Sequence, residues 1–368
     1  MARPDLLIVG GGIIGCAAAA FAAERGATVL LLEAQEIGAG ASGRNSGAVQ
    51  HPFDPVLAEL HRATRQIYDE LSAADPDAFA FPASPAGILL LTDDPTAARG
   101  RVAELRSENP DLGAELIDED GLHRLEPMVA RGWSAIRLET GFPIPPEAAT
   151  RAFADRARRS GAEIRLGSRV AALDAGPGIR FGDGTIQQAG AVLLATGPWA
   201  PDLLAASVGP ASIRPTYGVT LQIALAEAPA SVLEEGAVHT VNRPVEGEGD
   251  GVVTFSLVSV RGTSTVGSTF LRSAPDPADM APRLLENAVR FVPALRGARI
   301  LQQRVCARPQ SPDGRPFLGP LADLPGVFVA AGHGPWGMST GPATAQLVVA
   351  AILDGAAVPA GLEADRAI

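Results

Sequence analysis

A short apolar stretch that runs directly into a glycine turn constrains this chain more than any other feature. Asp5-Leu-Leu-Ile-Val leads to Gly10-Gly11-Gly12-Ile13-Ile14-Gly15, then to an Ala-rich segment, then to Ala27-Thr-Val-Leu-Leu-Leu-Glu33. Strand, Gly10-x-Gly12-x-x-Gly15, helix and a second strand ending on an acid form the pattern of a dinucleotide-binding βαβ unit. Each glycine has its own reason to be there. Gly10 permits the tight turn, Gly12 lets a pyrophosphate approach the backbone, and Gly15 lets helix pack on strand. A pyrophosphate beside Ile13 and Ile14 sits at the positive end of the helix dipole. Glu33, followed by Ala34, lies 18 residues past Gly15. There its carboxylate can accept both ribose hydroxyls and repel a 2′-phosphate.

The run after Glu33 reads Ile37-Gly-Ala-Gly-Ala41-Ser42-Gly43-Arg44-Asn45-Ser46-Gly47. It is too small and polar for a strand or a stable helix, and is read as a loop that wraps a cofactor with backbone donors and hydroxyls. With it the chain resembles the D-amino-acid oxidase superfamily of FAD enzymes, whose second strand ends in Glu before a G-A-S-x-x-x-x-G loop. Three further segments carry the likeness. Ala191-Val-Leu-Leu-Ala-Thr196-Gly197-Pro-Trp199 is similar to the family's A-x-G-x-W strand end. Cys306-Ala-Arg308-Pro309-x-x-x-Asp313-Gly314-x-Pro316-x-x-Gly319 is similar to its R-P-x-x-x-D-G-x-P-x-x-G segment. Val327 to Gly332-His333-Gly334, with the helix start Gly341-Pro342-Ala343, is similar to its closing flavin loop.

The resemblance is to the glycine oxidase and sarcosine oxidase branch. It implies an α/β fold in which an FAD-binding Rossmann-like domain of the glutathione-reductase type is interleaved with an α+β substrate domain built on an antiparallel sheet. The expected FAD-binding segments are 1–86, 146–216 and 300–368; the expected substrate segments are 87–145 and 217–299. The implied cofactor contacts are Gly10, Gly12, Ile13, Ile14, Gly15, Glu33, Ala34, Ala41, Ser42, Arg44, Asn45, Ser46, Gly47, Val170, Thr196, Gly197, Trp199, Gly332, His333, Gly334, Gly337, Met338 and Ser339. The chemistry implied is oxidation of the CH–NH bond of a small amino acid or N-substituted glycine (glycine, sarcosine or D-amino-acid type) to an imine. Hydride passes to the flavin, and oxygen reoxidises it. The alternative is the flavin subunit of a heteromeric hydroxyproline-, proline- or opine-type dehydrogenase that hands electrons to a partner. A third reading uses FAD for another reaction or as a structural part. A homo- or hetero-oligomer is compatible with all three.

Pattern and periodicity place the other elements. Asp54-Pro55 starts an amphipathic helix to residue 74, with Leu57, Leu60, Ile67 and Leu71 on one side. A strand is expected over 87–92, helical periodicity over 97–106, and a helix from Pro145-Pro146-Glu147 to about 160. Strands joined at Gly182-Asp183-Gly184 follow. Residues 213–272 alternate as strands, 281–292 read as helix, and 243–250 as an exposed loop.

Composition excludes several classes. A net charge of −11 without a basic block argues against nucleic acid. No apolar run approaches 18 residues, so no membrane span is expected. The N-terminus enters the first strand at once, so no signal peptide is expected and a cytoplasmic location is. Cys16 and Cys306 give neither a disulfide framework nor metal spacing; Cys16 is read as a small core residue. All 30 basic residues are Arg. The chain therefore has no lysine for a Schiff base or a lysine nucleophile, nor the lysine that sarcosine oxidases place beside the flavin. Thr265 stands at that position by motif.

Arg308 and His333 are the catalytic candidates. The resemblance makes Arg308 the clamp for a substrate carboxylate, since a guanidinium is planar and always charged; the competing reading is a surface salt bridge. Arg44 meets cofactor phosphate, substrate or solvent. His333 either contacts the isoalloxazine or shapes the pocket. His51 is read as lining a substrate channel or as a plain loop residue, and Trp336 and Tyr217 as pocket walls. Gly334-Pro335-Trp336-Gly337 stands where glycine oxidases carry a polar entrance, so a more apolar entrance is expected. Cys306 coincides with the cysteine that tethers flavin in sarcosine oxidases. A non-covalent FAD is expected, with a bond at Cys306 as the alternative.

Overall fold

The computed structural model describes residues 3–204, 209–236 and 252–367. The chain opens with β1 (Leu6–Val9), α1 (Ile13–Glu24), β2 (Val29–Leu32), α2 (Ala41–Arg44), β3 (Ala48–Val49) and α3 (Pro55–Ala74). Next come β4 (Ile88–Thr92), α4 (Pro95–Glu108), β5 (Glu115–Ile117), α5 (Glu119–Leu125), β6 (Ser134–Leu138), β7 (Phe142–Pro143) and α6 (Pro146–Arg159). Then follow β8 (Glu163–Arg165), β9 (Val170–Asp174), β10 (Gly178–Phe181), β11 (Ile186–Gln188), β12 (Ala191–Leu194), β13 (Arg214–Ala224) and β14 (Val232–Glu235). The last are β15 (Val252–Val260), β16 (Thr263–Phe270), α7 (Pro277–Val289), β17 (Arg299–Gln310), β18 (Phe317–Pro320), β19 (Val327–Ala331) and α8 (Gly337–Asp354).

Two sheets organise the molecule. A six-stranded sheet has the order β18-β19-β12-β1-β2-β8, parallel except for β18. Its four inner strands, β19, β12, β1 and β2, are apolar at every position because both faces are covered. Leu6, Ile8, Leu31 and Leu193 point into a core with α1, α3, α6 and α8. Leu7, Val9, Leu30 and Leu194 point to the other face, against Ile179 of the three-stranded sheet β11-β10-β9. An eight-stranded sheet has the order β17-β13-β16-β15-β14-β4-β6-β5. Val219, Leu221, Phe255, Leu257 and Val266 pack against α7 on one face. This α/β architecture, a parallel cofactor-type sheet interleaved with a mostly antiparallel one, is the fold expected.

Three local expectations need correction. The run 37–47 contains a helical turn, α2, which the composition argued against. Gly43 N–H bonds to Gly38 O at 3.0 Å, and a side chain at 43 would strike that same carbonyl; the glycines let one turn close where a longer helix could not form. Helix α7 begins four residues earlier than its apolar period. Asp276 caps it by accepting from Ala278 N–H at 2.9 Å, and Pro277 occupies the first turn. The expected division at residue 300 falls inside β17, which pairs with β13 from Arg299 to Gln310. The loop expected over 243–250 lies outside the described residues. Among the described residues no helix is long and apolar enough to cross a membrane.

Candidate functional site

The glycine turn is tied to its surroundings by contacts that tolerate no side chain. Gly10 has φ +111°, and a Cβ there would lie 2.5 Å from Ala195 O. Gly15 packs against the Gly10 carbonyl, which a Cβ would strike. Ser42 Oγ accepts from Ile13 N–H at 2.9 Å, so α2 is pinned to the start of α1. Glu33 accepts from Gly11 N–H through Oε2 and from Gln35 N–H through Oε1, both at 2.7 Å. Each oxygen keeps a further lone pair for hydroxyl donors. Asn45 folds the chain after α2: Nδ2 donates to Ala41 O and Ser42 O, and Oδ1 accepts from Gly47 N–H.

These elements wall a cleft of about 600 Å³. The walls run from Glu33 to Gln35 and Ser168 to Ala171 at one end, past the glycine turn, to Arg308, His333 and Met338. Gly10, Gly12, Ile13, Ile14, Glu33, Ala34, Ala41, Ser42, Arg44, Asn45, Val170, Thr196, Gly197, Trp199, Gly334 and Gly337 line it as well. Gly15, Ser46, Gly47, Gly332 and Ser339 do not. Gly15 and Gly47 lie against backbone carbonyls, and Ser339 Oγ accepts from Gln50 N–H at 3.0 Å. His51, read as lining a channel or as a plain loop residue, and Trp336 and Tyr217, expected as walls, are also outside it. His51 is buried against His61, with ring centroids 5.4 Å apart. Trp336 joins the core of the parallel sheet. Tyr217 packs on the α7 side of its sheet, since strand alternation turns it away from Gly218.

Arg308 stands at the β17 edge of the cleft. Nη1 donates to Thr269 O at 2.9 Å and Nη2 to Ser268 Oγ at 2.6 Å; the guanidinium lies 4.5 Å from the Phe270 ring centre. Among the described residues no carboxylate pairs with it. The surface-salt-bridge reading therefore has no partner here. Gly218, directly across from Cys306 on β13, leaves the room: a Cβ there would fall 2.6 Å from Cζ of Arg308. Gly218 has no motif signal and is revealed by its pairing with Cys306; the Ser168–Arg169 turn, also without a motif, is brought to the cleft by the fold.

Cys306 is buried and also lines the cleft. Burial pushes its thiol up, more than Arg308, Arg304 and Arg44 pull it down. His333 Nε2 lies 3.0 Å from Thr344 Oγ1, which itself donates to Gly341 O. Burial lowers the His333 pKa to about 3, so the ring is neutral. Two buried polar atoms of the lining, Thr196 Oγ1 and His333 Nδ1, have no hydrogen-bond partner among the described residues. Such orphans, a side-chain-free turn at the α1 N-terminus and a carboxylate at the far end fit a flavin dinucleotide. No cluster among the described residues fits a metal.

Comparison with known proteins gives the family of the chain. The family described as FAD dependent oxidoreductase (DAO) matches residues 5–351. Glycine oxidase of Bacillus licheniformis is 25% identical, over 99% of this chain and 97% of its own. Hydrogen cyanide synthase subunit HcnC of Pseudomonas aeruginosa is 25% identical, over 84% of this chain and 73% of its own. The crystal structure of glycine oxidase from Geobacillus kaustophilus superposes with a TM-score of 0.82 over 100% of both chains, at 22% identity, a likeness of fold.

Proposed function

From the premise that this chain belongs to the FAD dependent oxidoreductase family (DAO), we propose that it oxidises the CH–NH bond of a small amino acid or N-substituted glycine. The observation that carries this reading is the Arg308 guanidinium at the edge of the cleft, held in place by three groups and, among the described residues, left without a carboxylate. Bound FAD supplies a two-electron acceptor. The protein's task is positioning. Arg308 takes the substrate carboxylate through its fork, which orients the donor carbon toward the part of the cleft walled by His333, Gly334 and Met338. The neutral His333 contributes shape and a hydrogen-bonding atom but no charge. In this reading the six-stranded sheet carries the cofactor lobe and the eight-stranded sheet the substrate lobe. Oxygen is the proposed acceptor; glycine oxidase relatives support that choice.

The test is peroxide release by the purified holoenzyme in air over a panel of amino acids and N-methyl glycines. Arg308→Met should lower kcat/KM by roughly 30- to several-thousand-fold, the cost of losing a buried charge-assisted pair at ~2–5 kcal/mol, with flavin spectra unchanged. Arg308→Lys should recover part of the activity, since an ammonium lacks the fork. Normal turnover by Arg308→Met sinks the reading. Flavin bleaching without peroxide would transfer the enzyme to the dehydrogenase class.

A further inference from the structure

Helix α8 carries a proline where its hydrogen-bond ladder should begin. Pro342 lies in the second turn of the helix, which starts at Gly337. Lacking an N–H, it cannot donate to the carbonyl four residues back, and that carbonyl belongs to Met338. Tyr68 of α3 supplies the missing donor: its hydroxyl reaches Met338 O at 2.9 Å. One turn earlier on α3, Thr64 Oγ1 accepts from Ala343 N–H, the donor next to the proline, at 3.2 Å. Residues four apart share a helix face, so one face of α3 serves both breaks in the α8 ladder. Tyr68 is fully buried. The rings of Phe79, Phe81 and Phe153 surround it, with centres 5.5, 5.3 and 6.3 Å away. A phenol packed among aromatic rings must place its hydroxyl on a partner, and Met338 O is that partner. Burial pushes the phenol up, so the hydroxyl stays protonated and remains a donor.

The turn held in this way is part of the cleft. Gly337 and Met338 line it, and the first N–H groups of a helix have no partner within the helix. At the other end Glu33 suits the ribose, and the glycine turn between suits the pyrophosphate. The end walled by His333 and Met338 is what remains for the flavin ring.

We propose that Tyr68 is a positioning residue for the flavin: through the Met338 carbonyl it holds the first turn of α8 against the ring and raises the ring's electron affinity. Reduction adds negative charge to the ring, and the positive end of a helix favours that charge. A hydrogen bond accepted by a peptide carbonyl also strengthens the N–H bonds coupled to it. Without the Tyr68 hydroxyl, Met338 O is a buried acceptor with no donor from its own helix, and the turn moves to satisfy it. The inference concerns the cofactor and is independent of what Arg308 binds.

The experiment measures the midpoint potential of the FAD-loaded enzyme against a reference dye, with no substrate present. Tyr68→Phe keeps the ring and removes only the hydroxyl. Its reduction equilibrium should fall roughly 3- to 10-fold, a potential lower by about 15 to 30 mV for a two-electron couple. Phe79→Leu loosens the same aromatic cluster but leaves the hydroxyl; it should lower Tm and leave the potential in place. Adding Pro342→Ala to Tyr68→Phe gives Met338 O a donor from its own helix, so the potential should return most of the way. A merely structural role for Tyr68 would not produce that recovery. An unchanged potential in Tyr68→Phe overturns the proposal. So does an equal shift in Phe79→Leu, or a shift that Pro342→Ala fails to recover, since the carbonyl would then not be the route. Because no substrate is added, failure here leaves the Arg308 reading untouched.

Discussion

Gly218 shows what one absent methyl group decides. Arg308 already contacts Ser268, Thr269 and Phe270, so a Cβ at 218 must displace the guanidinium from all three. Gly218→Ala should therefore lower kcat/KM about 10- to 100-fold, the usual effect of a small misplacement of a binding group, with FAD content unchanged. Wild-type kinetics in that variant would mean that Arg308 does not need this position. Burial has a different consequence at the histidines. It lowers both His61 and His333 to about 3. In the unfolded chain each binds a proton near pH 6.5, while in the folded chain neither does until far lower. Their share of stability is thus complete above pH 6.5 and is lost as pH falls toward 3. Between pH 6.5 and 5 each should cost ~2 kcal/mol. Urea unfolding at the two pH values measures the loss, and His61→Leu should remove about half of the pair's share. Carboxylates held low, such as Asp313, are silent in that window.

At the scale of elements, the first βαβ unit is defined by its own sequence. Apolar runs make β1 and β2, the glycines close the turn, and an Ala-rich segment makes α1. Gly12→Val should leave the purified protein with almost no flavin, because the side chain would occupy the approach to the α1 N-terminus. Far-UV circular dichroism should stay as in the unmodified protein; full FAD occupancy would show that the dinucleotide is held elsewhere. Helix α3 is equally local, since Asp54 Oδ1 accepts from Val56 N–H and Leu57 N–H as its cap. Other elements were less legible. The α2 turn depends on Gly43 lying against a carbonyl five residues back, and the first turn of α7 depends on a cap that hydrophobic period does not register. The β17 strand continues past an expected lobe boundary because its partner β13, far away in sequence, is long enough to pair with all of it.

For the whole molecule, the cleft draws residues from both sheets, so a cofactor bound there would bridge the two. FAD should be present at one per chain and should be released by acid. Burial disfavours the Cys306 thiolate that a covalent bond needs; flavin that stays with the denatured chain and disappears in Cys306→Ala would reverse this. Free FAD at a thousand times its Kd should add ~4 kcal/mol to stability, read as a raised Tm against the apoprotein. The sequence by itself determined the dinucleotide turn, Glu33, the apolar strands and the segment that carries Arg308. All of these are set by residues close together in the chain, where spacing dictates geometry. Only the tertiary structure decided that Arg308 meets no acid among the described residues, that Gly218 makes room for it, and that Tyr217 and Trp336 face other cores. Those facts depend on contacts such as Arg308 with Ser268, 40 residues apart. A side chain's charge is written in the sequence, but its partner is chosen by packing.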